Sequence, residues 1–272
     1  MDKSNKTVNA LWIGEYLSST ELLTINSFLN KGHSFVLWSY NELKTELPKA
    51  VILKDANEIF PKSKVFSYKY SNQFGHGKGS YAGFSDIFRY KLLYLHGGWW
   101  TDMDVTCLKA LDFETDYVFR THHDLKLVGN IMKCPKNSLL MKKCFEEAVE
   151  KVTENNRDWH LPIQILVDNV KELGLTSYIR SFSNPDSWNV IRKFLAKEVE
   201  IPQNWYIIHW VNEEWRRNKI DKTTFLKNSL YAKLANENTV NINKAHFFKA
   251  LIIKFKLSKF SFGLNYFSKK LS

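Results

Sequence analysis

The chain has 272 residues, 39 Lys and Arg against 28 Asp and Glu, a net charge of +11, and 44% hydrophobic residues. This composition excludes wholesale disorder and collagen-like repeats, and the length suits one large domain or two small ones around a real core. No apolar run reaches the roughly 18–20 residues needed to span a bilayer, so an integral membrane protein is not expected.

In chain order, Val8-Asn9-Ala10-Leu11-Trp12-Ile13 reads as a short buried strand ended by Gly14. Ser18 or Ser19 caps a predicted helix to about Asn30, apolar at Leu22, Leu23, Ile25, Phe28 and Leu29. Gly32 stops it, and residues 34–38 form a second strand. Strand, helix, strand with short connections predicts a parallel pair and an α/β class. Helical stretches are expected around 41–59, while 64–68 is ambiguous between helix and strand.

Residues 80–96 carry the clearest helical period, with Phe84, Phe88, Leu92 and Leu95 in one stripe and Asp86 and Arg89 on the other side. His96-Gly97-Gly98 ends that helix, and Trp99-Trp100-Thr101 enters a strand broken by Asp102-Met103-Asp104. A further strand is expected at 117–120 and helices around 138–153 and 162–173. With no repeat or low-complexity linker, one domain over 1–240 and a basic aromatic tail over 241–272 are expected. Cys107, Cys134 and Cys144 form neither an even disulfide set nor a metal-type pair, and the first residues lack the apolar core of a secretory signal. Both point to a reducing cytoplasm.

The positive charge is concentrated at one end. No acidic residue follows Glu237, and Lys244, Lys249, Lys254, Lys256, Lys259, Lys269 and Lys270 alternate with Phe247, Phe248, Leu251, Ile252, Phe255, Phe260, Phe262, Tyr266 and Phe267. That is the composition of a helix lying at an anionic membrane surface, against the plainer alternative of a helix docked on the domain with its lysines in water. Nucleic acid is disfavoured as a partner because no recognition motif accompanies the lysines.

The segment 85–104 carries the chemistry. Two carboxylates one residue apart after a glycine pair suit Mg²⁺ or Mn²⁺ bridging a diphosphate. Alone, an Asp-x-Asp is most often a solvated loop end, and an Asp and Arg three apart a surface ion pair. Together with the glycines and the apolar strand they are far more specific. His122-His123-Asp124 resembles a metal cluster, yet neighbours on a strand point to opposite faces. Gly75-His76-Gly77-Lys78-Gly79 lacks the spacing of a phosphate-cradling loop and reads as a flexible loop or lid before the helix.

Ser85-Asp86-Ile87-Phe88-Arg89-Tyr90, the apolar helix, Gly97-Gly98, and Asp102-Met103-Asp104 resemble the sugar-transferase family with an Asp-x-Asp motif. That family includes fungal initiating mannosyltransferases, bacterial capsule and lipopolysaccharide glycosyltransferases and, more distantly, the catalytic domains of large glucosylating toxins. Trp12-Ile13-Gly14 is similar to the family's first strand, and His209-Trp210 with Trp215 to its C-terminal motif. The resemblance implies a GT-A-like fold with a mixed, mainly parallel sheet flanked by helices. It also implies transfer of a hexose from a nucleotide-diphosphate donor, with retention. The first functional expectation is a metal-dependent enzyme that uses a UDP-linked donor and a saccharide or lipid-linked oligosaccharide acceptor in surface polysaccharide synthesis at the inner membrane face, which the basic aromatic tail fits.

Position by position, the resemblance places Trp12 and Ile13 at the nucleotide base, Asp86 and Arg89 at the donor sugar and diphosphate, and Asp102 at ribose or a metal-bound water. Asp104 and His209 would join Asp102 at the metal, and Trp215 would close over the donor. Asn130 and Asp168 are the weaker candidates near the reacting sugar and acceptor. Trp100 stands where the family usually has Tyr, and Glu214 where a small Ser often precedes the Trp. Taken singly, Trp12 and Trp215 could equally be core residues and His209 a satisfied core histidine. An inverting enzyme would need a base such as Asp124, Asp168 or Glu213. The competing functions are a nucleotide-sugar hydrolase or nucleotidyltransferase of related fold, and a non-catalytic peripheral membrane protein.

Overall fold

The computed structural model describes Met1 and residues 3–258. Its strands are β1 (Thr7–Trp12), β2 (Ser34–Ser39), β3 (Ile52–Asp55), β4 (Gly98–Thr101), β5 (Val105–Cys107), β6 (Val118–His122), β7 (Lys126–Cys134), β8 (Ile179–Arg180), β9 (Ile207–His209), β10 (Thr224–Phe225) and β11 (Asn243–Lys244). The α-helices are α1 (Lys3–Lys6), α2 (Ser19–Asn30), α3 (Ala82–His96), α4 (Leu139–Lys151), α5 (Leu161–Glu172), α6 (Trp188–Ala196), α7 (Asn212–Arg217), α8 (Leu230–Glu237) and α9 (Phe247–Lys256).

Seven strands form a mixed sheet in the order β3-β2-β1-β4-β7-β6-β8. The first four are mutually parallel, β7 runs antiparallel to both neighbours, and β8 is parallel to β6. The expected α/β architecture with a mainly parallel sheet is therefore present. The chain builds β1, β2 and β3 outward in one direction and then returns to lay β4 on the other side of β1. That reversal leaves a crevice at the carboxyl ends of β1 and β4, the usual ligand site of open α/β sheets.

Alternation along the strands separates the two faces. Val8, Ala10, Phe35, Leu37 and Trp99 pack with Ile25 and Phe28 of α2. Leu11, Val36, Trp38 and Trp100 face α3, α4 and α5 through Phe84, Phe88, Leu92, Met141 and Leu166. A third cluster joins α6, α8 and the segment around β9 through Trp210, Trp215, Phe225 and Tyr231. Six of the nine tryptophans are buried in these cores, which accounts for most of the aromatic excess by packing.

Local signals hold where a cap or a glycine has a physical task. Ser18 and Glu21 form a complete capping box at the start of α2. Gly97 has φ 65°, and a Cβ there would lie 2.4 Å from the Lys136 backbone nitrogen, so the turn out of α3 requires glycine. The stretch 41–59 corrects the helical expectation: it holds the edge strand β3 and one 3-10 turn, Ala56–Glu58, because Ile52–Asp55 pairs in register with β2. Residues 64–68 fall in a 3-10 end and irregular chain. Strand β7 was not anticipated. It is buried at every position after Lys126, so it shows no alternation to betray it.

Candidate active site

Both acids of the Asp-x-Asp sequence follow β4 at the crevice. Asp102 leaves the strand with its amide nitrogen donating to Asn130 O at 2.7 Å, and its carboxylate accepts the Trp100 Nε1 proton at 2.8 Å. The Arg89 guanidinium on α3 reaches two acids through one nitrogen: Nη2 is 3.1 Å from Asp86 Oδ1 and 3.2 Å from Asp102 Oδ1. It also lies over the Trp100 ring, with Cζ 5.2 Å from the centroid. The pair three apart on α3 is thus buried inside the site, not solvated on the surface. Asp86 is 7% and Arg89 5% exposed.

Asp104 is held from the other side. The pairing of β5 with β9 sets Val105 opposite His209, and His209 Nε2 comes to 3.4 Å from Asp104 Oδ2. The Asn212 amide donates to the same oxygen at 2.7 Å, and the Trp210 amide to Asp104 O at 2.9 Å. The far nitrogen of the ring, Nδ1, meets Asp186 Oδ1 at 2.8 Å. Asp186 also accepts from Arg120 Nη1 at 2.8 Å, and Arg120 Nη1 lies 3.3 Å from Asn130 Oδ1. Asn184 fixes the backbone of His209, donating to its carbonyl at 2.9 Å and accepting from its amide at 2.8 Å.

Arg120 and Asn130 reach the site through an irregularity between β6 and β7. Phe119 pairs with Met132 but Arg120 with Val128, so Gly129, Asn130 and Ile131 bulge from the ladder. Gly129 is needed there for space: a Cβ would stand 2.8 Å from Arg89 Nη1.

The charges shift one another strongly. Burial, opposed by Arg89 and reinforced by Asp102, pushes the Asp86 carboxyl up to about 6. Asp102 is also raised, by burial and by Asp104, although Arg89 opposes it. Burial would raise Asp104 and Asp186 too. Instead His209, with the Asn212 amide for Asp104 and Arg120 for Asp186, holds both below the usual carboxylate range. Burial would discharge His209, but the two flanking carboxylates push it up to about 10, so it is an imidazolium at neutral pH. Three buried polar atoms have no partner among the described residues: Arg89 Nε, Asn130 Nδ2 and Asn212 Oδ1.

The remaining sequence candidates are placed as follows. Trp12 and Ile13 are half-buried at the carboxyl end of β1, with Trp12 Nε1 donating to Tyr16 O at 3.1 Å. Trp100 is buried beneath Arg89. Trp215 is 1% exposed; its Nε1 donates to Trp210 O at 2.8 Å, and its ring packs on Trp210, Phe225 and Tyr231, so here it is a core residue and not a cover. Asp168 lies on the exposed side of α5, bonded to Gln164, and is not gathered with the acids. His209 is engaged on both ring nitrogens by carboxylates, and no metal cluster is closed around it among the described residues. There, the acids, histidines and cysteines whose ligand atoms all converge within 4.8 Å are His122, His123 and Asp124. Their rings stack at 4.3 Å because β6 ends at His122, which corrects the opposite-face expectation. Arg120, Asn184, Asp186 and Asn212 had no sequence signal, lying in three separate segments without a local motif.

Gly75-His76-Gly77 is docked on α7: the Gly77 amide donates to Glu213 Oε1 at 3.0 Å, and Arg216 Nη1 donates to Lys78 O at 3.0 Å.

Among solved structures the chain is similar to the PaToxG glycosyltransferase (14% identity over 62% of this chain and 68% of that one, TM-score 0.45). It is also similar to the WbbM bifunctional glycosyltransferase in its apo form (11% identity over 89% of this chain and 50% of that one, TM-score 0.48). A mutant of a transferase matches at 9% identity over 64% of this chain and 86% of that one, with a TM-score of 0.42. Likeness at this level bears on neither donor nor acceptor. No curated protein matches the sequence. Residues 19–122 match the family model described as glycosyltransferase sugar-binding region containing DXD motif. That match runs from the first residue of α2 to the last of β6, under half of the chain, and takes in Asp86, Arg89 and both acids of the motif.

Proposed function

We propose that the enzyme moves a hexose from a UDP-linked donor to a saccharide or lipid-linked oligosaccharide during surface polysaccharide synthesis, with retention and with Mn²⁺ or Mg²⁺ held at Asp102 and Asp104. The observation that carries this reading is the uneven charge at the crevice. Four buried or half-buried carboxylates (Asp86, Asp102, Asp104, Asp186) face three cations (Arg89, His209, Arg120), and Asp102 is the most open of the acids, with its side chain 29% exposed.

The donor set fits a hard divalent cation. Asp102 resists ionisation beside Asp104, and Asn212, whose amide already binds Asp104, carries a buried oxygen with no donor. Two protein carboxylates would leave most of an octahedral shell to water and diphosphate oxygens. Bound there, the cation would supply positive charge to the departing diphosphate. Arg89 would add fixed positive charge beside it, its orientation set by Asp86, Asp102 and the Trp100 face. The Asn130 side-chain N–H is a free donor suited to a sugar hydroxyl, and half-buried Trp12 offers a flat edge at the carboxyl end of β1 for the base.

Retention is supported by the state of the alternative bases. Glu213 is tied to Gly77, His76 and Arg216 and held below its ordinary value, Asp168 is turned to solvent, and Asp124 pairs with His123. With none of these three candidates left as an unengaged base among the crevice acids, the leaving phosphate oxygen is the natural acceptor of the hydroxyl proton.

The test is a panel of nucleotide sugars with Mn²⁺, measuring nucleoside diphosphate release with and without saccharide acceptors. Acceptor-stimulated release is expected, falling by about 10²–10³-fold or more in Asp104→Asn while the melting curve stays cooperative. Near-normal turnover in that variant contradicts the metal assignment. A nucleoside monophosphate product points instead to nucleotidyl chemistry.

A further inference from the structure

We infer that α9 is a membrane-surface helix whose outward face inserts among anionic lipid headgroups. The helix is apolar on two sides. Ala250 and Ile253 turn inward to the third core cluster together with Leu257, which is 3% exposed. Arg192 Nη1 donates to Leu257 O at 3.0 Å, and Lys249 Nζ sits 3.1 Å from Asp221 Oδ2, so the helix is fastened to the body. The outward side is the unusual one. Phe247, Phe248, Leu251 and Ile252 are 72%, 79%, 50% and 55% exposed, a patch of large side chains on one face within two turns of the helix. Elsewhere on the described surface exposed residues of this size are mostly scattered. Isolated exposed apolar residues need no explanation, whereas a gathered patch of aromatic and aliphatic groups marks an interaction site.

Charge decides the partner. Lys254 and Lys256 stand exposed beside the patch, and no acidic residue occurs anywhere after Glu237. A second copy of the chain would bring the same positive charge to the interface. An anionic lipid surface neutralises it, accepts the phenylalanines at the headgroup boundary and lets the lysine stems extend to phosphate. A ten-residue helix is far too short to span, and among the described residues no helix is long and apolar enough to cross a membrane. It therefore lies flat and carries the rest of the protein with it. Of the sequence-stretch expected to bind membrane, Lys259, Phe260, Phe262, Tyr266, Phe267, Lys269 and Lys270 lie outside the described residues.

This surface is independent of which sugar is moved, and its test needs no donor. The full-length protein is sedimented with phosphatidylcholine vesicles and with the same vesicles containing phosphatidylglycerol. Binding is expected to the second and to be at least about tenfold weaker to the first. The paired change Phe248→Ser with Ile252→Ser should lower binding to anionic vesicles by about tenfold or more. Lys254→Gln and Lys256→Gln should each lower it by about fivefold and flatten its salt dependence. Release of nucleoside diphosphate from the donor, assayed separately without vesicles, should be unchanged in all of them. Wild-type protein left in the supernatant, or undiminished binding by the Phe248 and Ile252 pair variant, overturns the inference. So does a dimer in sedimentation equilibrium that the same pair variant dissolves, since the face would then belong to a second copy.

Discussion

The two charge clusters at the crevice are built on opposite plans. In the first, one guanidinium serves two acids: Arg89 lies between Asp86 and Asp102, and both carboxyls are pushed above their ordinary values. In the second, signs alternate along Asp104, His209, Asp186 and Arg120; Asp104 and Asp186 are pulled down and the histidine is pulled up. The second cluster is neutral overall and holds itself together. The first carries the unbalanced negative charge, beside the acid most open to solvent. The two acids proposed to hold the metal thus come one from each set, Asp104 from the balanced cluster and Asp102 from the one with surplus negative charge.

Removing Asp186 tests the division most severely. Asp186→Ala leaves Arg120 and His209 buried without their shared carboxylate, which should cost about 3–5 kcal/mol in urea unfolding. Asp86→Asn removes an acid that burial already disfavours, and its cost at neutral pH should stay within about 1 kcal/mol. Equal losses in the two variants would mean that the clusters do not differ as described.

Titration of the metal-free protein separates the clusters by pH window. The Asp86 carboxyl is raised to about 6, so the folded state holds its proton more tightly than the unfolded chain does; that contribution is present in acid and is lost as pH rises from the ordinary carboxylate value through 6. His209 is raised to about 10, so its contribution is complete below the ordinary histidine value and is lost as pH rises through 10. Asp186 has the opposite sign: depressed, it stabilises above the ordinary carboxylate range and loses that stability as pH falls. At about 1.4 kcal/mol for each unit of displacement, the alkaline fall should reach a few kcal/mol. His209→Gln should flatten the unfolding free energy between about pH 6.5 and 10, and should also shrink the acid limb, because His209 is the main charge holding Asp104 and Asp186 down. A slope that survives in that variant assigns the alkaline loss to another group.

The same contrast explains what could be read along the chain. Asp86, Arg89, Asp102 and Asp104 lie within one helix-turn-strand unit, where the period of α3, the glycine pair and the spacing of the acids all bear on one another. Arg120, Asn184, Asp186 and Asn212 come from β6, the loop between β8 and α6, and α7, and the β5–β9 and β6–β7 pairings with the Ser183–Ile207 bridge bring them together. No spacing rule connects them. The parallel core was legible because β1 and β2 are short apolar strands flanking a capped helix, whereas β3 is an exposed edge strand and β7 is buried on both faces, so neither alternates. His209 and Trp215 were visible as residue types, but their surroundings were not: one proved to be an imidazolium between carboxylates and the other part of an aromatic core.

Gly129 offers the smallest and sharpest test, because it touches the first cluster from an element that the motif does not contain. It does not have the left-handed φ that favours glycine, so alanine there meets no backbone strain, and any effect comes from the new methyl group. That group would stand 2.8 Å from Arg89 Nη1 and 3.5 Å from Leu166 Cδ2. Arg89 is not free to yield, since moving it breaks the contacts to Asp86 and Asp102 and lifts it from Trp100. Gly129→Ala should therefore cost about 1–3 kcal/mol of stability and lower turnover through Arg89. The discriminating measurement is a double-mutant cycle in unfolding free energy with Arg89→Lys, whose side chain has no Nη1. If the methyl group acts through the guanidinium, the second substitution should relieve about 1 kcal/mol or more of the first. Simple additivity would place the clash at Leu166 and leave Gly129 a packing residue of the α5 interface.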